Sequence, residues 1–382
     1  MRGRARPPGG LFALLLAALG ALAPVAAVEI VERLPNHRSQ VYIARSDEQP
    51  ADFRYLAFPS VLVMAPDEIW VAYKAGRSHA HDVGAAIVVA SHRLSTGATK
   101  VLQVLKPPAG EIYQNVELGR LADGAVTVNI DVQRSGRPKE NAVFRKGAVT
   151  FRWHPEQRVF TGPVAFAAIN GVLYGYPFDF VTEGKTTWQL NMTFEYLPGG
   201  RRSVDVLRSD NNGATWSFVR NLSQEFGNIR SNESGFMRYQ DGFIVVTRTY
   251  GHHLLLHRTD REFRPKLQAD LTELYPFVNS PTGRPRVYTR DGNGYIISRN
   301  RVRAANKHMQ LSLFRFDRDT LAVTGHVVLD NREDAVVGDG YYAVPVWAER
   351  DGRTWLHVVT YTGRGSPSPQ IVRFDYLWDE IK

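Results

Sequence analysis

The stretch Ser209-Asp210-Asn211-Asn212-Gly213-Ala214-Thr215-Trp216 reads as a tight turn between two strands. Its chemistry is local. A short amide or carboxylate side chain folds back onto nearby backbone N–H groups. Gly213 supplies a positive φ at no steric cost. Trp216 packs a large apolar ring under the hairpin. A decayed second copy runs from Ser91 to Lys100. It keeps Gly97-Ala98-Thr99 but puts Lys100 where the tryptophan stands.

Outward from this turn, the chain is strand-rich nearly throughout. Short apolar runs alternate with polar residues, and Gly, Pro, Asp and Asn punctuate them. Ile69-Trp70-Val71-Ala72-Tyr73, Phe243-Ile244-Val245-Val246-Thr247 and Trp355-Leu356-His357-Val358-Val359 are examples. No long helical periodicity appears; Leu267 to Tyr275 offers at most a turn or two of helix. A repeat is visible in the turns. Asp67-Glu68, Asp123-Gly124, Glu183-Gly184, Asp241-Gly242, Asp291-Gly292 and Asp351-Gly352 each precede an apolar run. Their spacing, roughly 50 to 60 residues, fits one four-stranded sheet per repeat. One small sheet cannot bury both its faces, whereas six packed radially can. The expected fold is therefore all-β, a six-bladed β-propeller of four-stranded antiparallel sheets. Val41-Tyr42-Ile43 would complete the last blade.

Ser209 to Trp216 also resembles the Asp-box of sialidases, Ser-x-Asp-x-Gly-x-Thr-Trp, with Asn211 at the third position. This motif marks a fold and is not itself a catalytic site. The resemblance to the sialidase-like propellers extends over most of the chain and implies a carbohydrate target. Sialidases hold the sugar carboxylate with three arginines, protonate the leaving oxygen with an Asp, and attack with a Tyr activated by a Glu. A neutral tyrosine suits that task because it does not repel an anionic sugar.

Residue by residue, the resemblance implies the following. Arg77 ends a strand and Asp82 follows five positions later, as the family's arginine and acid do. Glu233 lies in Asn232-Glu233-Ser234-Gly235, ahead of Asp241-Gly242 and Arg248; it would activate the nucleophile while Arg248 orients the substrate. Tyr341, in Gly338-Asp339-Gly340-Tyr341-Tyr342, is the nucleophile candidate, with Tyr342 as the alternative. Arg299 and Arg301 both compete for the remaining arginine position, as does His308. The pattern departs at Leu56-Ala57-Phe58-Pro59, where Ala57 stands in the place of the family's first arginine. A bidentate arginine is the usual carboxylate recogniser, so a sugar other than sialic acid is implied. Ile112-Tyr113-Gln114-Asn115 stands where the family often has Asp-Arg-Asp, and points the same way.

The remaining expectations come from composition. Arg2, Arg4 and Arg6, an apolar run from Leu11 to Leu22, and Val25-Ala26-Ala27 have the order of a secretory signal. Residues 1–27 are read as that signal and 28–382 as a single propeller domain, secreted or periplasmic, in a bacterial envelope. The signal arginines account for three units of the formal net charge of +9. The other arginines are scattered, so no nucleic-acid partner is expected. No membrane span is expected once the signal is removed. The chain has no cysteine, which excludes disulfides, thiolate metal sites and cysteine nucleophiles. His79 and His81, two apart, read as a sugar hydrogen-bonding surface. Neither they nor His252, His253 and His257 have a recognised metal spacing. No metal or other cofactor is expected. The function these readings support is removal of a terminal sugar; the alternative is a non-catalytic propeller that binds carbohydrate or protein.

Overall fold

Each of the six turn dipeptides closes the hairpin between the first and second strands of one sheet. The computed structural model describes residues 28–31, 39–134, 145–193, 203–279, 282–301, 309–332, 339–363, 366 and 368–382. Residues 1–27, the expected signal, lie outside that set, as does His308.

The six antiparallel sheets follow one another along the chain. Blade one comprises Tyr55–Ala65, Glu68–Gly76, Ala86–Arg93 and Thr99–Leu105. Blades two and three open with inner strands Glu111–Arg120 and Gly175–Glu183. Blades four and five open with Ser231–Tyr239 and Gly283–Arg290. Blade six takes its inner strands Val344–Arg350, Arg353–Thr362 and Gln370–Leu377 from the end of the chain. Its outer strand, Ser39–Ala44, comes from the beginning. Ser39 lies opposite Asp375 in that pairing. The short strand Glu29–Val31 adds in parallel to the outer edge of blade five. The six sheets form a β-propeller, with helices reduced to single turns such as Leu271–Leu274. No helix among the described residues is long and apolar enough to cross a membrane.

Apolar side chains fill the wedges between neighbouring sheets. Between blades one and two, Trp70 packs edge-on against Trp153 and Phe160 over Val116, Val128 and Ile130. Burying each such side chain contributes about 1.5–3 kcal/mol. The Ser209–Trp216 turn joins the third and fourth strands of blade three. The Asn211 carboxamide oxygen accepts from Thr215 N at 2.9 Å, and Ser209 Oγ accepts from Gly213 N at 2.9 Å. Gly213 has φ +75°, and Trp216 packs against Phe166 and Phe180.

Candidate active site

The inner strands of blades one to five each lose register near their axial start. The irregularities fall between Ala57 and Ser60, Tyr113 and Val116, Gly175 and Pro177, Ser231 and Ser234, and Gly283 and Arg286. A bulge leaves residues outside the ladder and re-aims their side chains. The residues released here include Phe58, Gln114 with Asn115, Tyr176, and Asn232 with Glu233, which line a cavity of about 320 Å³ at one end of the ring. Pro59, Arg284 and Pro285, released in the same breaks, do not line it. The loop carrying His79 and His81 and the entry to blade six carrying Tyr342 complete it, with Gln133, Arg145 and Arg248.

Glu233 is the most heavily bonded group in the cavity and is only 4% exposed. It accepts from Tyr176 Oη at 2.9 Å, Arg248 Nη1 at 2.8 Å and the backbone N–H of Arg284 at 2.9 Å. The Tyr342 hydroxyl lies near enough to act on it as well. Burial alone would raise this carboxyl's pKa. The Arg248 charge, the Tyr342 hydroxyl and the Arg284 N–H outweigh it and hold Glu233 below the usual carboxylate range. The Tyr342 hydroxyl is pushed well above its ordinary value by burial, then by Asp339 and Glu233. It is therefore a neutral phenol held beside carboxylates.

The two adjacent tyrosines divide sharply. Tyr341 has φ +59° and turns into the packing between blades five and six, where its hydroxyl donates to Asp330 at 2.7 Å. The left-handed backbone sends Tyr342, the next residue, to the cavity instead. Of the two, Tyr342 lines the cavity and Tyr341 does not.

Asp82 does not line the cavity. Its carboxylate is buried and accepts the backbone N–H groups of Arg77 at 2.5 Å and Ser78 at 3.1 Å. Lys74 Nζ lies 3.9 Å from it and donates to the carbonyls of Ser78 and His79. Gln114 joins them, accepting from Lys74 and donating to the His79 carbonyl. Burial, opposed by Asp82, brings the Lys74 ammonium down to about 8. Asp82 and Lys74 thus clamp the loop from beneath, and the side chains this loop presents are His79 and His81. Arg77 turns outward, exposed, and pairs with Asp52 at 2.9 Å.

Arg299 lies under the cavity, with its guanidinium 5.3 Å from the Tyr342 ring centroid. It pairs with Asp339, whose other oxygen reaches His79 Nδ1 at 3.1 Å. Burial opposes the Arg299 charge, and Asp339 outweighs that and raises its pKa. Arg301 ends the same strand, and its side chain lies outside the described residues. Ala57 is fully buried in the packing between blades one and six.

Sequence reasoning missed Asp339 and Arg145 as neighbours of the cavity. Arg145 pairs with Asp131 at 2.8 Å. The signal for Asp339 was present in the loop quoted with Tyr341; no sequence pattern marks Arg145.

No family model matches the sequence, and no curated protein does. Solved structures do. A protein of unknown function from Dyadobacter fermentans DSM 18053 superposes with TM-score 0.67 at 16% identity, over 88% of this chain and 97% of that one. A mutant Trypanosoma rangeli sialidase displaying trans-sialidase activity gives TM-score 0.59 at 11% identity, over 90% of this chain and 59% of its own. An α-L-arabinofuranosidase from Fusarium graminearum, solved as a mutant with an iminosugar inhibitor, gives TM-score 0.59 at 12% identity, over 90% of this chain and 98% of that one. The chain has the six-bladed β-propeller fold that sialidases and GH93 arabinofuranosidases also have.

Proposed function

We propose that this protein is an exported glycoside hydrolase that removes a terminal, uncharged sugar within the axial cavity. The observation that carries the reading is the buried Tyr342 phenol beside the Glu233 carboxylate on the wall of one polar cavity. In this reading the Tyr342 oxygen attacks the anomeric carbon while Glu233 draws its proton away. Arg248 keeps Glu233 ionised and in place. Phe58 and Tyr176 offer ring faces, and Gln114, Asn115, Gln133 and Asn232 offer the amides that sugar hydroxyls need.

The preference for an uncharged sugar rests on charge balance. Arg248 is matched by Glu233, Arg145 by Asp131 and Arg299 by Asp339. A substrate carboxylate would have to compete with one of these anions, at the cost of leaving a buried charge unpaired. Ala57, in place of the family's first arginine, supports the same preference.

The test is turnover of a panel of aryl glycosides of neutral and acidic sugars. Wild-type protein should release phenol from at least one neutral glycoside. Tyr342→Phe should lower that rate by about 10³-fold, and Tyr176→Phe by much less. Binding without turnover across the panel would favour the non-catalytic sugar-binding propeller. Equal loss in both tyrosine variants would overturn the choice of Tyr342.

A further inference from the structure

With Asp82 turned away, the glycosidase reading lacks a proton donor for the leaving group. We propose that His79, held by Asp339, is the general acid and base that serves the glycosidic oxygen. The inference rests on the reading above and adds a residue type that the sialidase pattern does not use there.

Four observations carry it. First, Asp82 does not line the cavity, and one of its oxygens is already engaged by two backbone N–H groups. Second, His79 lines the same cavity as Tyr342 and Glu233, and its side chain is half exposed. Third, its ring is fixed. Nδ1 lies 3.1 Å from Asp339 Oδ2 and 3.3 Å from Tyr55 Oη, and the ring packs edge-on to Phe58 at 5.2 Å. Fourth, its backbone is fixed, since the His79 carbonyl accepts from both Lys74 and Gln114. Donation of Nδ1–H to Asp339 leaves Nε2 as the exchangeable position. A carboxylate that orients an imidazole and stabilises its protonated form is what a histidine acid requires. Asp339 is suited to this because Arg299, His79 and Tyr361 outweigh burial and hold its pKa below the usual carboxylate range.

The proton balance is complete. In the first step Tyr342 Oη bonds to the anomeric carbon, the glycosidic C–O bond breaks, and the departing oxygen takes a proton from His79. The tyrosine proton goes to Glu233. In the second step water attacks the anomeric carbon and gives a proton to the now neutral His79. The C–O bond to Tyr342 breaks, and the phenolate recovers its proton from Glu233. No oxidant, metal or other co-reactant is required.

Several charged and titratable groups act on His79 from the surrounding elements. They are Asp339 at the entry to blade six, Tyr55 and Lys74 in blade one, Glu233 in blade four and Arg299 in blade five. Burial, opposed by Asp339, holds its pKa below the ordinary histidine value. The acid form is therefore lost as pH rises through a value below that of free histidine. Turnover limited by leaving-group protonation should have its alkaline limb there.

The experiment compares leaving groups on whichever neutral sugar wild-type protein cleaves. Against an unactivated alkyl or phenyl glycoside, His79→Ala should lower kcat/KM by about 10²–10⁴-fold. Against the dinitrophenyl glycoside, whose leaving group needs no proton, formation of the sugar–tyrosine bond should be nearly unaffected. The alkaline limb should vanish in the variant, and added azide should restore steady-state turnover of the dinitrophenyl substrate. Asp339→Asn should show a weaker form of the same leaving-group dependence. Asp82→Asn should lower both substrates together, as loss of a loop clamp would. Equal loss on both substrates in His79→Ala, or leaving-group dependence in Asp82→Asn instead, overturns the assignment. If wild-type protein cleaves no glycoside, the glycosidase reading itself fails and the assignment falls with it.

Discussion

The cavity and the throat of the propeller are built from the same inner strands and have opposite chemistry. In the throat, Glu117 of blade two receives both Arg284 and Arg286 of blade five, and Arg286 also pairs with Asp179 of blade three. The two arginines and Glu117 are almost wholly excluded from solvent. Only a few residues away along the same strands, Asn115 and Tyr176 face open space. In the throat the charges bond one another across the axis and hold three blades together. In the cavity amides and hydroxyls line the void with one carboxylate that collects several donors, whereas Glu117, Asp179 and Arg286 reach a second opening already paired with one another. A ring can therefore carry a charged scaffold and an open polar cavity on one set of strands, divided in blades one to five by register breaks.

The contrast makes its strongest demand on Glu117 and Glu233. Glu117→Ala leaves two buried guanidinium groups without their shared partner. It should cost about 3–5 kcal/mol of unfolding free energy, read by denaturant titration. Glu233→Gln keeps a hydrogen-bonding side chain of the same shape. It should abolish most turnover while shifting the unfolding midpoint far less. Similar stability losses in the two variants would remove the distinction between throat and cavity.

A smaller effect separates packed histidine from cavity histidine. His257 is fully buried and stacked on Phe226 at 3.5 Å, and burial takes its pKa down to about 4. A base with a depressed folded-state pKa contributes stability that is present above its unfolded value of about 6.5. That contribution is lost as pH falls through the folded value. Unfolding free energy measured from pH 7 to pH 4 should therefore fall less steeply in His257→Gln than in wild type. His79→Ala, at a half-exposed site, should change that slope little. The smallest effect belongs to the Ser209–Trp216 turn. Asn211→Ala removes two hydrogen bonds to Thr215 and should cost about 1 kcal/mol, with turnover intact.

The fold was legible because its punctuation is local. Each turn dipeptide needs only its own neighbours, and each sits at the same hairpin of its blade. The Val41-Tyr42-Ile43 run was legible because an apolar strand without sheet neighbours in sequence must find them elsewhere. The site was less legible because bulges break the alternation from which side-chain direction is read. Sequence spacing singled out the loops that carry Asp82 and Tyr341, and their neighbours His79, His81 and Tyr342 line the cavity. It could not give the direction of either side chain. A positive φ at Tyr341 exchanges its direction with that of Tyr342, and Asp82 folds under the loop it was expected to crown. The histidines beside it were visible in the sequence, but their role depends on Asp339, which arrives from a blade more than 250 residues later in the chain.

The pairing of Ser39–Ala44 with Gln370–Leu377 has a kinetic meaning. Ser39 and Asp375 are 336 positions apart, and the Ser39 hydroxyl donates to the Asp375 carboxylate at 2.8 Å. An early-made strand must wait for a late-made one, so the circle locks only after the sixth blade has been synthesised. Until then its partner sheet has a bare edge, and closing so long a span is slow. Any partner that shields that edge in the meantime would protect the nascent chain from clumping.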